Sequence, residues 1–182
     1  PVEALSPRTA YTYTVTDSAG AQLGGLFRTP APYGLRTGLR FGVSGDWRGE
    51  LSPYPAVGNV AQRELDFFAV LGDTIYADYP SPALPVAQAQ TLEQYRIKHG
   101  EAYSTSLGLN SWAAVRASTA LLATIDDHEV TNDFAGGLAE KPFPAPFDQN
   151  GAYINETDLF QTGLQAFHDY NPLQPTYYGA TG

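Results

Sequence analysis

Three short segments of the sequence combine glycine and acidic residues in a pattern that suits metal binding. They are SGDWRGE at 44–50, LGDTIYAD at 71–78 and IDDHEVTND at 125–133. Carboxylate oxygens are preferred ligands of hard cations. A group of about five carboxylates at one edge of a protein would repel itself, and bound cations are the simplest remedy.

The second segment places Tyr76 three residues beyond Asp73. A turn needs Gly-Asp but does not need the tyrosine. Two cations about 3.5–4 Å apart can share one bridging carboxylate and act together on a phosphate ester. A phenolate favours a hard trivalent ion such as Fe³⁺. The spacing therefore predicts that Asp73 bridges two metal ions and that Tyr76 holds one of them.

The elements around these segments predict an α/β fold. Apolar runs at 39–45, 66–72 and 120–125 read as strands, and each ends at one of the acidic segments. Segments 91–103, 110–118 and 156–172 read as helices, and 57–65 reads as a further helix. Thr91 and Gln94 fit a capping box at the start of the first of these helices. Alternating strands and helices are typical of a layered fold, whose reactive groups gather beyond the carboxyl ends of the strands.

The first thirty residues predict a different kind of unit. The alternation at 11–16 and the run at 23–29 indicate two strands joined by a turn, and a Pro/Gly linker follows at 29–34. The spacing of five residues resembles the tyrosine corner of a fibronectin-type sandwich: Leu5, Pro7, Tyr11, Tyr13 and Val15. We expect residues 1–30 to be the terminal strands of an Ig-like or fibronectin-like domain and residues 31–182 to be the catalytic part. An ordinary hairpin at a sheet edge is the alternative.

Composition limits the classes of function. The chain has 182 residues, a net charge of −9 and no cysteine, which disfavours a general nucleic-acid binder and excludes disulfides within it. No run approaches the ~20 apolar residues of a membrane span. The chain opens on Pro1 without a secretory leader, so we expect a mature or trimmed product, secreted or held in the cell envelope.

The motifs GDTIY and DDHEVTND, together with AFHDYNPLQP near the end, resemble the PhoD-like alkaline phosphatases and phosphodiesterases. These belong to the calcineurin-like metallophosphoesterase superfamily. The resemblance implies a layered β-sandwich flanked by helices, preceded by an Ig-like or fibronectin-like domain. It also implies hydrolysis of phosphate mono- or diesters by a metal-bound hydroxide at a dinuclear centre, with Fe³⁺ and Ca²⁺ or alternatively Zn²⁺ or Mn²⁺.

The resemblance also implies roles for individual residues. Asp73 is similar to the bridging carboxylate, and Tyr76 to the Fe³⁺ phenolate. Asp127 takes the place of a ligand to the second metal, and Asp46 that of the first-motif aspartate. His128 resembles the histidine that hydrogen-bonds the phosphate or protonates the leaving oxygen. A histidine satisfied by a neighbouring carboxylate is the structural alternative for His128.

The chain departs from the pattern of that family at several points. Arg48 stands where the first motif carries a histidine, and it is either a phosphate clamp or a surface charge. No cysteine is available as a first-motif ligand. His99 and His168 lie in predicted helices, and we expect both to be structural. The later histidine motifs of the superfamily are missing, so we expect a fragment completed by a C-terminal part, possibly on a separate chain.

Three alternatives remain open at the level of the sequence. A phospholipase-D-like phosphodiesterase of the same branch is one, and aromatic residues in 141–154 would suit its lipid interface. A calcium-binding module without turnover is another, since the acidic third motif suits Ca²⁺. A mononuclear hydrolase is a weaker third option.

Overall fold

A computed structural model describes residues 2–133, 157–171 and 173 of the chain. The strands are β1 (Ala10–Thr16), β2 (Gln22–Arg28), β3 (Phe41–Ser44), β4 (Phe67–Leu71) and β5 (Leu121–Thr124). The helices are α1 (Leu92–Tyr103), α2 (Ser111–Ser118) and α3 (Asp158–Tyr170). Strands, helices and their order agree with the α/β class predicted from the sequence. No helix in the described part of the chain is long and apolar enough to span a bilayer.

The central sheet is parallel, with the strand order β3-β4-β5. Phe41 pairs with Phe67, and Ala69 pairs with Leu122. All three predicted strands are confirmed, and they run side by side in sequence order. Parallel strands end at the same edge of a sheet, so the three acidic segments emerge together.

One face of this sheet is covered. Phe68 and Val70 point from β4 into a buried cluster with Trp47, Trp112 and Val115. The rings of Trp47 and Trp112 meet edge to face, with centroids 4.8 Å apart. Helix α2 and the segment after β3 therefore hold the sheet from this side.

The opposite face, the open face, carries the alternate side chains of the same strands. Phe41, Val43, Leu71 and Leu122 are each about half exposed there, with Phe41 at 52% and Leu71 at 56%. The rings of Phe41 and Phe67 stack on it at 5.2 Å. Parallel sheets are normally covered on both faces, so this apolar face lacks a covering layer within the described residues.

A second core lies between the segment after β4, helix α1 and helix α3. It is built around the buried residues Ile75, Ala77, Tyr95, Val130 and Ala166. Thr91 caps α1 in the predicted capping box with Gln94, which satisfies backbone N–H groups at the helix start. This core fixes the loop that carries Asp73 and Tyr76 against the two helices.

The first strands form an antiparallel hairpin in which Tyr11 faces Phe27. The backbone N–H of Ser6 donates to the Tyr11 hydroxyl at 2.8 Å, a contact of the kind that a tyrosine corner makes. The Tyr13 hydroxyl donates to the carbonyl of Arg116 at 3.3 Å and ties the hairpin to α2. The division of the chain at residue 30 and the Ig-like identity of the first part stay predictions.

The predicted helix over 57–65 is wrong. Two short 3-10 helices occupy that region, at Pro55–Val57 and Val60–Arg63. Gly58 interrupts the run, and Glu64 ends it with a left-handed φ of 51°. The predicted helix at 156–172 is confirmed as α3, whereas the aromatic segment 141–154 lies outside the described residues.

Candidate metal centre

The three loops that follow β3, β4 and β5 lie against one another. The backbone N–H of Trp47 donates to the carbonyl of Asp73 at 2.7 Å, which joins the first loop to the second. The N–H of Ala77 donates to the carbonyl of His128 at 3.0 Å, which joins the second loop to the third. The backbone itself therefore assembles the acidic segments at one edge of the sheet.

Asp73, Asp127 and His128 form the centre of this edge. Each offers one ligand atom, and the three atoms all lie within 4.8 Å of one another. The N–H of His128 points at Oδ1 of Asp73 over 3.4 Å. A carboxylate pair and an imidazole at this spacing fit a divalent or trivalent cation.

The electrostatics of Asp73 agree with a cation at this place. Asp73 is 8% exposed. Burial raises the pKa of its carboxyl to about 6, an effect that His128 opposes and the acids Glu129 and Asp127 reinforce. A buried carboxylate is stabilised by a bound cation, which removes the desolvation cost of its charge. The residues present therefore fit a metal ion.

The second oxygen of Asp127 is held by its own loop. The backbone N–H of Asp133 donates to Oδ2 of Asp127 at 2.5 Å, and the Asn132 side chain donates to Asp133 at 2.7 Å. The backbone of Asp133 thereby orients Asp127, and Asn132 in turn holds the Asp133 carboxylate.

Tyr76 and Asp46 form a pair beside the central group. The Tyr76 hydroxyl donates to Oδ1 of Asp46 at 3.0 Å, and its ring stacks on the His128 ring at 3.9 Å. Burial and the Asp46 carboxylate raise the pKa of the Tyr76 phenol above its ordinary value. Asp46 therefore contacts Tyr76 but lies outside the group of three, and the sharing of one ion by Asp73 and Tyr76 stays a prediction.

Asp78 is a site residue whose role the sequence analysis missed. Its Oδ1 lies 2.7 Å from Nδ1 of His128, and its Oδ2 accepts the N–H of Asn132 at 2.6 Å. Burial lowers the pKa of His128, but hydrogen bonding to Asp78 and the surrounding carboxylates together raise it above the ordinary value. The signal was present, because Asp78 ends the acidic segment that contains Asp73 and Tyr76.

Arg48 lies at the rim of the site. It forms an ion pair with Glu50, and its guanidinium lies 3.8 Å from the ring centroid of Tyr79 and 5.6 Å from that of Tyr76. Hydrogen bonding to Tyr79 and the charge of Glu50 raise the pKa of Arg48. Arg48 is therefore near the candidate ligands but already paired.

The other two histidines lie away from the group of three. His99 is buried on α1 and His168 is on α3, as the sequence predicted for both.

Comparison with known proteins relates this chain to one group of phosphatases. The model of the PhoD-like phosphatase family matches residues 43–181. The chain is 30% identical to alkaline phosphatase D of Bacillus subtilis (strain 168) over 185 aligned positions, which cover 94% of this chain and 29% of that protein. A solved structure titled "Structure of PhoD" superposes with a TM-score of 0.74 at 26% identity, covering 93% of this chain and 32% of the other. The chain spans about a third of the length of these relatives.

Proposed function

This chain belongs to the PhoD-like phosphatase family, and we propose that it carries one part of a centre that hydrolyses phosphate mono- or diesters. The observation that carries the proposal is the convergence of Asp73, Asp127 and His128 within 4.8 Å at the tips of two neighbouring parallel strands. Loop residues at strand tips on a rigid sheet are where open α/β folds place their reactive groups.

We infer a dinuclear metal site built from two pairs of ligands, Asp73 with Asp127 and Tyr76 with Asp46. Asp73 and Asp127 would hold one ion, and Asp73 would bridge it to a second ion held by Tyr76 and Asp46. Fe³⁺ with Ca²⁺ suits this donor set of phenolate and carboxylates, and Zn²⁺ or Mn²⁺ are the alternatives. When bound, such ions polarise the ester and acidify the attacking water.

His128 is the proposed group for proton transfer and phosphate binding. Its Nδ1–H donates to Asp78, which leaves Nε2 free to face the substrate. The carboxylate of Asp78 that accepts this hydrogen bond stabilises the imidazolium form of His128, and that form can donate a proton to the leaving oxygen. The stacked Tyr76 ring keeps the imidazole plane fixed.

Arg48 is proposed to bind a phosphate oxygen. It lies within reach of the Tyr76 side of the site, and guanidinium groups bind phosphate through two parallel hydrogen bonds. The ion pair with Glu50 would then exchange for one with substrate. The two anions compete for one cation, so Glu50 limits how tightly Arg48 holds substrate.

We propose that the rest of a longer protein completes this unit and supplies further ligands, on the same or a separate chain. The open face of the sheet supports this, since Phe41, Val43, Leu71 and Leu122 are about half exposed in a parallel sheet. The covering layer would complete the β-sandwich. A secreted or cell-envelope location is also proposed, and the lack of oxidisable cysteine and methionine suits it.

Elemental analysis of the full-length protein is the direct test. We expect two metal ions per chain, and loss of hydrolysis of p-nitrophenyl phosphate and of bis(p-nitrophenyl) phosphate after chelation. The ratio of the two rates reports whether monoesters or diesters are preferred. Calcium alone with no hydrolysis of either ester would instead identify a binding module.

The phenolate assignment has its own test. Tyr76→Phe should abolish the visible phenolate-to-iron absorption and lower iron content, whereas Tyr33→Phe, at a fully exposed tyrosine, should leave both unchanged. Survival of the colour in the Tyr76 variant would show that this residue is not a ligand.

A further inference from the structure

Glu129 is a buried carboxylate that takes no part in the mechanism proposed for the site. Its residue is 0% exposed, and it follows directly after Asp127 and His128 in the chain. The side chain points between the loop after β4 and the loop after β5, under the candidate ligands. A buried carboxylate lowers the stability of the fold unless it is fully hydrogen-bonded. The hydrogen-bond partners of Glu129 therefore explain how the fold accommodates it.

Four donors converge on the two oxygens of Glu129. Oε1 accepts the backbone N–H of Thr74 and the Thr74 hydroxyl, the latter at 2.5 Å. Oε2 accepts the N–H of Asp73 at 3.2 Å and the N–H of Asp126 at 2.8 Å. Three donors therefore come from the loop after β4 and one from the loop after β5, so a single carboxylate joins the two loops.

The loops that Glu129 joins leave no spare room between them. Gly72 has a φ of +79°, and a Cβ on it would lie 2.3 Å from Cβ of Asp126. Asp73 itself adopts a left-handed φ of 51°, a conformation that is unfavourable for a non-glycine residue. Such a backbone persists only when neighbouring contacts hold it, and two consecutive amides of this turn, those of Asp73 and Thr74, bind Glu129.

We propose that Glu129 is a positioning residue: it locks the two loops together so that the side chains of Asp73, Asp127 and His128 meet at one point. The inference rests on the proposed function, because it assigns the purpose of the lock to metal binding. Groups that orient metal ligands commonly change metal affinity by about 10- to 100-fold when they are mutated.

The test is the affinity of chelator-treated full-length protein for Mn²⁺, measured by titration calorimetry. Glu129→Gln keeps the size of the side chain but turns one acceptor oxygen into an NH₂ group that faces N–H donors. We expect Mn²⁺ to bind about 10- to 100-fold more weakly. Val115→Ala, which shortens a fully buried side chain under the sheet, should lower the melting temperature without changing Mn²⁺ affinity.

Thr74 provides a milder variant in case Glu129→Gln fails to fold. Thr74→Val removes only the hydroxyl donor and should weaken Mn²⁺ binding several-fold, whereas Thr74→Ser keeps the donor and should bind as the unchanged protein does. Unaltered affinity in Glu129→Gln or Thr74→Val, with a lowered melting temperature, would make Glu129 a stabilising residue only and leave the proposed function intact. If the unchanged protein binds no Mn²⁺, Ca²⁺ or iron, both proposals are overturned.

Discussion

Two fully buried polar side chains, Glu129 at the strand tips and His99 between α1 and α3, are treated in opposite ways by the fold. The carboxylate of Glu129 accepts four hydrogen bonds. Neither ring nitrogen of His99 has a partner among the described residues. Instead, the His99 ring stacks on the ring of Tyr170 at 4.8 Å. Both residues are 0% exposed, so burial alone does not separate them.

The difference shows how buried polarity should be interpreted in this protein. At the strand tips, the buried polar atoms form hydrogen bonds with one another, and this network includes the candidate metal ligands. Between α1 and α3, the imidazole is used as a flat ring, and burial lowers the pKa of His99 to about 3. We therefore expect substitutions at the tips to change metal binding and activity, and substitutions between the helices to change stability alone.

The largest effect is expected for Asp73→Asn, which removes the charge of the central ligand. Activity should fall by about 10³-fold or more, since a metal ion contributes several kcal/mol of transition-state stabilisation, and metal content should fall with it. Asp66→Asn is the matched control, because Asp66 lies at the opposite end of β4 and accepts the N–H of Arg40. If the Asp73→Asn variant kept the activity and metal content of the unchanged protein, Asp73 would not be a ligand of the centre.

Asp78→Asn tests whether the hydrogen bond on His128 serves the site. The neutral amide no longer stabilises the imidazolium, so we expect activity to fall about 10- to 100-fold. The apparent pKa of the acidic group in the pH–rate profile should fall as well. Asp169→Asn makes the same change between α1 and α3, where Asp169 pairs with Arg96, and should leave the profile as it is.

His99→Phe tests the other side of the comparison. The pKa of His99 is depressed from 6.5 to about 3 in the folded state, so below pH 6.5 the unfolded chain binds the extra proton. Stability should therefore fall as the pH drops from 6.5 towards 3, by about 1.4 kcal/mol for each pH unit. Phenylalanine should remove this part of the acid sensitivity without loss of metal, as measured by urea unfolding at pH 5 and pH 8. An unchanged pH dependence would mean that His99 is not buried as a neutral ring.

The smallest effect is expected for Arg96→Ala. Arg96 contacts Asp169 through two hydrogen bonds across α1 and α3, but its side chain is 44% exposed. Exposed ion pairs contribute about 0.2–1 kcal/mol, so the melting temperature should fall slightly and activity should not change. A large loss of activity would show that the ion pair between α1 and α3 affects the candidate metal centre.

The sequence predicted the parts of the fold that depend on local pattern. Three apolar runs became the parallel strands β3, β4 and β5, and the capping box at Thr91 starts α1. The failure at 57–65 has a local cause as well, because Gly58 divides a run that buries only Val57 and Val60 into 3-10 turns.

The sequence predicted the location of the candidate site, because three acidic segments each follow a strand. Within those segments, the resemblance to the PhoD-like family singled out Asp46, Asp73, Tyr76, Asp127 and His128. The contacts that hold the site together were not predicted. Asp78 contacts His128 across a separation of 50 residues, and Thr74 contacts Glu129 across a separation of 55. Such pairs depend on how the loops pack against each other, which no spacing in the sequence records. Arg48 and Glu50 are only two residues apart in the chain, but the position of Arg48 beside Tyr76 depends on how the loops pack.

The open face of the sheet also has a practical consequence for handling this chain by itself. An apolar patch on this face includes Phe41, Val43 and Leu122. The outer strands β3 and β5 each pair on one side only within the described residues. Exposed apolar surface and unpaired strand edges of this kind favour self-association. We expect the isolated 182-residue chain to aggregate as its concentration rises. Charged substitutions at these positions should improve its solubility, and the covering layer proposed above predicts that the same substitutions would be harmful in a longer protein that contains that layer.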